Sequence, residues 1–185
     1  MRPVQTISRK GSGMLNVKKI PPHIGYYLAG FADGEGSFYI AFRPRQNQNP
    51  PWKVSLCFHV SQKDRTILAL FKRHLQCGTL RSRADGVWYY EVNNLEAILT
   101  HVIPFFERFR FLSAKKKYDF AKFVKAAKLM QEGKHLTEEG IREILRIRRK
   151  MNDGGKRRYS DAEILARFQP RESSETIRQT SENGG

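Results

Sequence analysis

Between Ser37 and Ser61 apolar and polar residues alternate with a period of two. Phe38, Ile40 and Phe42 are interleaved with Ser37, Tyr39, Ala41 and Arg43. After the connection RPRQNQNPP, Trp52, Val54, Leu56, Phe58 and Val60 are interleaved with Lys53, Ser55, Cys57, His59 and Ser61. This alternation predicts half-buried antiparallel strands, with one greasy face and one that offers Arg, Lys, Ser and His. Two shorter strands, TLRSR and VWYYEV, are predicted on either side of the turn ADG. Leu80, Trp88, Tyr90 and Val92 fall on their apolar side, and Arg81, Arg83, Tyr89 and Glu91 on the other.

Elsewhere the period is helical. Residues 24–32 form a short apolar helix led in by PPH. In DRTILALFKRHLQ, Ile67, Leu68, Leu70, Phe71 and Leu75 share one helical face, and Gly78 is the expected C-terminal cap. Asn94 is expected to cap a helix over 95–102 that Pro104 halts, and Ser113 a longer one over 114–131. A helix over 138–151 ends in the basic run RIRRK, DGGKRR is a break, and Ser160 caps a last short helix. The order αββαββα is that of an α+β domain: a four-stranded antiparallel sheet with helices on one face and an open, polar, basic face. The expected divisions are a basic arm over 1–22, disordered or DNA-contacting, a domain over 23–168 and a disordered tail over 169–185.

Composition narrows the partners. The chain has 185 residues, a net charge of +16 and a pI of about 10.1, with 39% apolar and 28% charged residues. That is globular, and the excess charge points to a polyanion, nucleic acid first. No hydrophobic run approaches a bilayer span, and the N-terminus lacks a secretory apolar segment, so neither a membrane nor secretion is expected. Cys57 and Cys77 sit among apolar residues and read as buried thiols. The strand over 52–62 is long enough, about 33–37 Å at ~3.3 Å per residue, to follow a turn of DNA of about 34 Å.

The acids are placed unevenly. Up to Lys63 only Asp33 and Glu35 are carboxylates, against nine Lys and Arg. They stand two apart among glycines at the end of the first apolar helix. Either they terminate that helix, or one of them holds something that needs negative charge. Gly30 and Gly34, four apart, lie on one side of the helix and would let another backbone approach.

The stretch LAGFADGEG, Leu28 to Gly36, resembles the signature of the LAGLIDADG homing endonucleases. The SQKD that ends the long strand, the order of elements and IPFFERFRFLSAKKKYDF fit as well, so the resemblance covers roughly residues 24–150. The motif occurs once, and single-motif proteins of this family are homodimers. The resemblance therefore implies a two-fold homodimer through the motif helices, with Gly25, Leu28, Ala29, Gly30, Asp33 and Gly34 at the interface. Twin Glu35 carboxylates would converge at its axis, and like charges in a confined site repel. Mg²⁺, a hard cation that takes oxygen ligands, relieves that repulsion, with Mn²⁺ or Ca²⁺ as other occupants.

The same resemblance makes Glu35, standing where the family usually has Asp, the metal ligand, with the Gly34 carbonyl as a second. It gives Gln62 the ordering of metal-bound water. It gives Lys115, or as second choice Lys116, contact with the phosphate or its solvent. Asp33 is the weaker catalytic candidate, better suited to ending the helix. The expected DNA contacts are Arg43, Arg45, Gln46, Asn47, Gln48, Lys53, Ser55, His59, Ser61, Arg81, Arg83 and Tyr89, since Arg suits guanine and Gln or Asn suits adenine. The RIRRK and GGKRR runs are expected to touch DNA backbone or solvent.

The implied function is a site-specific endonuclease that hydrolyses both strands of a near-palindromic target on the order of 20 bp. The alternatives are an RNA maturase that binds its host intron and a non-catalytic DNA-binding regulator. No small-molecule substrate is expected. Implied locations are an organelle, chloroplast or mitochondrion, or an archaeal or bacterial cytoplasm.

Overall fold

The alternation along the chain becomes one antiparallel sheet in the computed structural model, which describes residues 13–154 and 157–168. Its strands are β1 (Gly36–Pro44), β2 (Trp52–Gln62), β3 (Thr79–Ser82) and β4 (Trp88–Val92), in the spatial order β1-β2-β4-β3. The register runs from Gly36 opposite Val60 to Pro44 opposite Trp52. It keeps Phe38 across from Phe58, and Tyr39 across from Cys57 on the other side. A slip of one residue would turn every apolar side chain to solvent.

The helices are α1 (Pro22–Glu35), α2 (Arg65–Leu75), α3 (Leu95–Ala97), α4 (Ile103–Arg108), α5 (Ala114–Gln131), α6 (Glu138–Arg149) and α7 (Asp161–Ala166). The expected N-caps are in place. Asn94 accepts from the Ala97 N–H at 2.9 Å, Ser113 from Lys116 at 3.2 Å, and Ser160 closes a reciprocal box with Glu163. Two boundaries differ from expectation. Pro104 does not stop a helix: a π-helical turn over Ile98–Val102 leads directly into α4, where the proline occupies the first turn and has no amide hydrogen to place. The left-handed residue that closes α2 is Gln76, at φ 56°, two positions before Gly78.

One apolar core lies between the sheet and the helices. Phe38 is its hub, with its ring 5.0 Å from Phe58, 5.5 Å from Phe106 and 5.0 Å from Phe123. Trp52, buried at the far end of β2, donates its indole N–H to the Ile164 carbonyl at 2.8 Å and so ties α7 to the sheet. The N-terminal boundary moves. Leu15 and Ile20 are buried, and the Leu15 N–H donates to the Thr100 carbonyl at 2.9 Å. Residues 13–22 therefore belong to the domain, because two apolar side chains there fill the core. The arm's first twelve residues and the tail from 169 lie outside the described residues.

Candidate functional site

The motif helix α1 has two sides. Gly25, Leu28, Ala29 and Ala32 are buried in the core of the chain itself. A Cβ on Gly25 would come within 2.3 Å of the Phe109 ring. Gly25, Leu28 and Ala29 were expected at an interface between two copies; the structure moves them inside, where Phe109 and the sheet already cover them. The opposite side carries Tyr26, Tyr27, Gly30 and Gly34, all exposed. Nothing within 4 Å would meet a Cβ on Gly30 or Gly34. Tyr26 and Tyr27 are 61% and 57% exposed, and Leu112, whose N–H meets Asp33 at the other end of the helix, is 85% exposed. This side of the helix thus combines exposed aromatic rings with two stretches of bare backbone.

At the end of this helix the two acids have different surroundings. Asp33 accepts from the Leu112 N–H at 3.1 Å and the Ser113 N–H at 3.0 Å, and also from the Ser113 hydroxyl. Burial alone would raise its pKa, but these donors and Lys116 nearby hold it below the usual value. Its oxygens are turned to the start of α5. Glu35 is the last residue of α1 and is exposed. The chain then swings into β1 at Gly36, where a Cβ would sit 2.6 Å from the Ala32 carbonyl.

By clasping the first turn of α5, Asp33 also sets the register of its lysines. Lys116 donates its ammonium to the Gly36 carbonyl. Half-burial lowers its pKa, against the opposing pull of Asp33, Asp119 and Glu35. Lys115 points away and pairs with Asp153. The geometry thus reverses the expected preference and brings Lys116 to the motif. Gln62, the last residue of β2, lies two positions past Val60, which pairs with Gly36, and its amide oxygen accepts from the Lys63 N–H at 2.8 Å. Glu35, Lys116 and Gln62 therefore gather at one end of the sheet.

The outer face of the sheet is polar along its length. Arg43 stands directly opposite Lys53, Ala41 opposite Ser55, and Ser37 opposite His59. Ser61 is opposite Tyr89, which is opposite Arg81. Like charges placed across two strands are destabilising. Among the described residues neither Arg43 nor Lys53 meets a carboxylate at ion-pair distance. His59 stacks on Tyr89 at 5.8 Å. Burial and Arg83 pull the imidazole below its ordinary pKa, against Glu91. Arg45, Gln46, Asn47 and Gln48 lie in the β1–β2 connection, closed by the Arg45 N–H on the Pro51 carbonyl at 2.8 Å. Arg83 follows β3 and pairs with Asp85 at 3.0 Å.

Sequence reading missed the wall at the β1 edge. A cleft of about 500 Å³ is lined by Tyr39, Arg43, Arg148, Asn152, Arg157 and Arg158 among others. The Asn152 amide donates to the Phe38 carbonyl at 2.9 Å and its backbone N–H to Asp119 at 3.2 Å, so this segment folds against the free edge of β1. Arg148 is not solvated as expected. It is 7% exposed, with its guanidinium 5.1 Å from the Phe42 ring centre and donating to the Tyr159 carbonyl at 3.1 Å. Phe42 at an apolar strand position and the basic RIRRK run were both visible in the sequence. Their juxtaposition was not.

Comparison with known proteins agrees with this geometry. The family model described as LAGLIDADG endonuclease matches residues 28–127. A probable intron-encoded endonuclease 2 of Neurospora crassa is 29% identical over 151 residues, which is 79% of this chain and 32% of that protein. The homing endonuclease I-TnaI has a solved structure that superposes with a TM-score of 0.66 at 30% identity, covering 74% of this chain and 90% of that one. The homing endonuclease I-LtrWI, solved bound to its target DNA, superposes with a TM-score of 0.69 at 28% identity, covering 76% of this chain and 47% of that one. The chain spans 32%, 35% and 24% of three of its curated relatives. The signature helix, the four-stranded sheet and the matched sequence together make this chain a member of the LAGLIDADG endonuclease family.

Proposed function

We propose that the chain is a site-specific, divalent-metal-dependent DNA endonuclease that works as a pair of copies. The observation that carries the reading is Glu35: an exposed carboxylate at the end of α1, beside Lys116, at one end of a basic sheet face. Homologous structures solved on DNA, and one solved with calcium ions, support it.

The donor set fits a hard cation. Carboxylate, carbonyl and amide oxygens are what Mg²⁺ takes, and Mg²⁺ commonly uses one or two carboxylates plus phosphate oxygens. Among the described residues no three His, Cys, Asp or Glu side chains could hold a metal ion. One chain thus offers Glu35 and the Gly34 carbonyl, and a second copy packed on Gly30 and Gly34 would bring the matching pair. A cation held there supplies charge stabilisation for displacement at phosphorus. Lys116, held against the Gly36 carbonyl, keeps a positive charge near the phosphate. Gln62 orients solvent beside it. The sheet face and the β1-edge cleft position the duplex, with Arg43, Lys53 and Arg158 on phosphates and the residues of the strand centres at base edges.

The test is Glu35→Gln. With the uninterrupted allele of the host gene as substrate, cutting in Mg²⁺ should fall by at least two orders of magnitude, roughly the value of one electrostatic group at a reacting centre. Binding to the same duplex should be retained. Full cutting by the variant removes the assignment.

A further inference from the structure

Glu91 is the one carboxylate in the four strands among the described residues. It sits in the middle of the face proposed to meet DNA. It shares a rung with His59 on one side and Thr79 on the other. A negative charge there repels every phosphate that approaches, so general affinity for DNA is better without it. The fold nonetheless holds it in place. The Tyr39 hydroxyl donates to Oε2 at 3.4 Å and the Asn93 amide to Oε1 at 2.8 Å. Burial raises the pKa of the Tyr39 hydroxyl and pushes the Cys57 thiol beside it up to about 12.

A carboxylate has about four acceptor positions. The Tyr39, Asn93 and Cys57 donors leave part of that capacity open. A further donor can come from a bound duplex, and in the major groove the four bases differ sharply in what they present. Guanine shows only acceptors at N7 and O6, and thymine an acceptor at O4, so both repel a carboxylate. Adenine offers its amino group beside the N7 acceptor. Cytosine offers its N4 amino group with no acceptor next to it on that edge.

We infer that Glu91 is a specificity-determining residue that accepts a hydrogen bond from the amino group of cytosine at one position of each half-site, with Tyr39 and Asn93 fixing its direction. This rests on the DNA-binding reading above and adds the base it selects.

The experiment is selection from a randomised duplex library by the full chain, in Ca²⁺, for wild type, Glu91→Gln and Glu91→Ala, with thermal unfolding of each. Wild type should return cytosine at one position per half-site. Glu91→Gln should shift that position toward adenine, because an amide matches the donor–acceptor pair of its edge, and Glu91→Ala should leave it open. The change should be about tenfold at that position, with neighbouring positions and the melting temperature unmoved. An unchanged base at every position in both variants overturns the inference while the DNA reading stands. A loss of preference at many positions together with a lower melting temperature also overturns it, assigning Glu91 to the framework. A wild type that selects no sequence removes the DNA reading itself.

Discussion

Phe38 and Tyr39 are adjacent in β1 and meet opposite surroundings. Phe38 is 1% exposed inside a nest of phenylalanine rings, whereas Tyr39 opens onto Glu91 and the cleft at the sheet edge. The same holds along β2 for Phe58 and His59. On one face nearly every side chain is satisfied by its own chain. On the other, Arg43 faces Lys53, His59 stacks over Tyr89, and a lone acid sits among bases. The strands thus divide their residues by parity into those that hold the fold and those that remain available to a polyanion. Substitutions on the two faces should therefore separate into losses of stability and losses of binding.

The largest effect is expected from the apolar side. Phe38→Ala removes the ring that five others surround, and should cost about 3–5 kcal/mol of unfolding free energy, the usual range for a buried Phe. Chemical denaturation measures it. A cost under about 1 kcal/mol would mean the core does not centre on Phe38.

Asp33 joins the two faces, because its carboxylate clasps α5 and thereby places Lys116. Asp33→Ala should cost about 0.5–2 kcal/mol, as for a lost helix cap. Its pKa is lower folded than its ordinary 3.8. The stabilisation is thus fully present above that ordinary value and is lost as pH falls through the lower folded one. The gap in stability between wild type and Asp33→Ala should close in that acid window. A gap that persists below it would place the carboxylate's role elsewhere.

On the polar face the effect on stability should be smallest. Lys53→Ala should leave unfolding within about 0.5 kcal/mol, and the salt slope of DNA binding should drop by about 1. A large loss of stability would break the division between the faces.

Much of this division was legible in the sequence. Period-two alternation is a direct consequence of strand geometry, and it placed Phe38, Phe58 and Tyr90 inside and Lys53, His59 and Arg81 outside. The caps Asn94, Ser113 and Ser160 were legible because they act within one turn of their own position. What failed to show depended on residues distant in the chain. Gly25 and Leu28 belong to the core because Phe109 and the sheet arrive there. Lys116 replaces Lys115 because Asp33 sets the phase of α5. Arg148 is buried because Phe42 lies beneath it and Asp161 beside it. Leu15 and Ile20 looked like part of a charged arm, since two apolar residues among basic ones carry little periodic signal.

In the proposed function Glu35 acts as one of a pair. The most direct test is to dissociate and reassociate equal amounts of wild type and Glu35→Gln and to assay both nicking and double-strand cutting in Mg²⁺ at fixed total protein. A paired site leaves the mixed dimers unable even to nick. If the site needs both copies, random reassociation leaves about a quarter of the dimers intact, and double-strand cutting should fall to about a quarter of the wild-type value. Nicked duplex made by the mixed half of the dimers, with double-strand cutting still at about a quarter, would show that each Glu35 serves one strand by itself and would contradict the paired site.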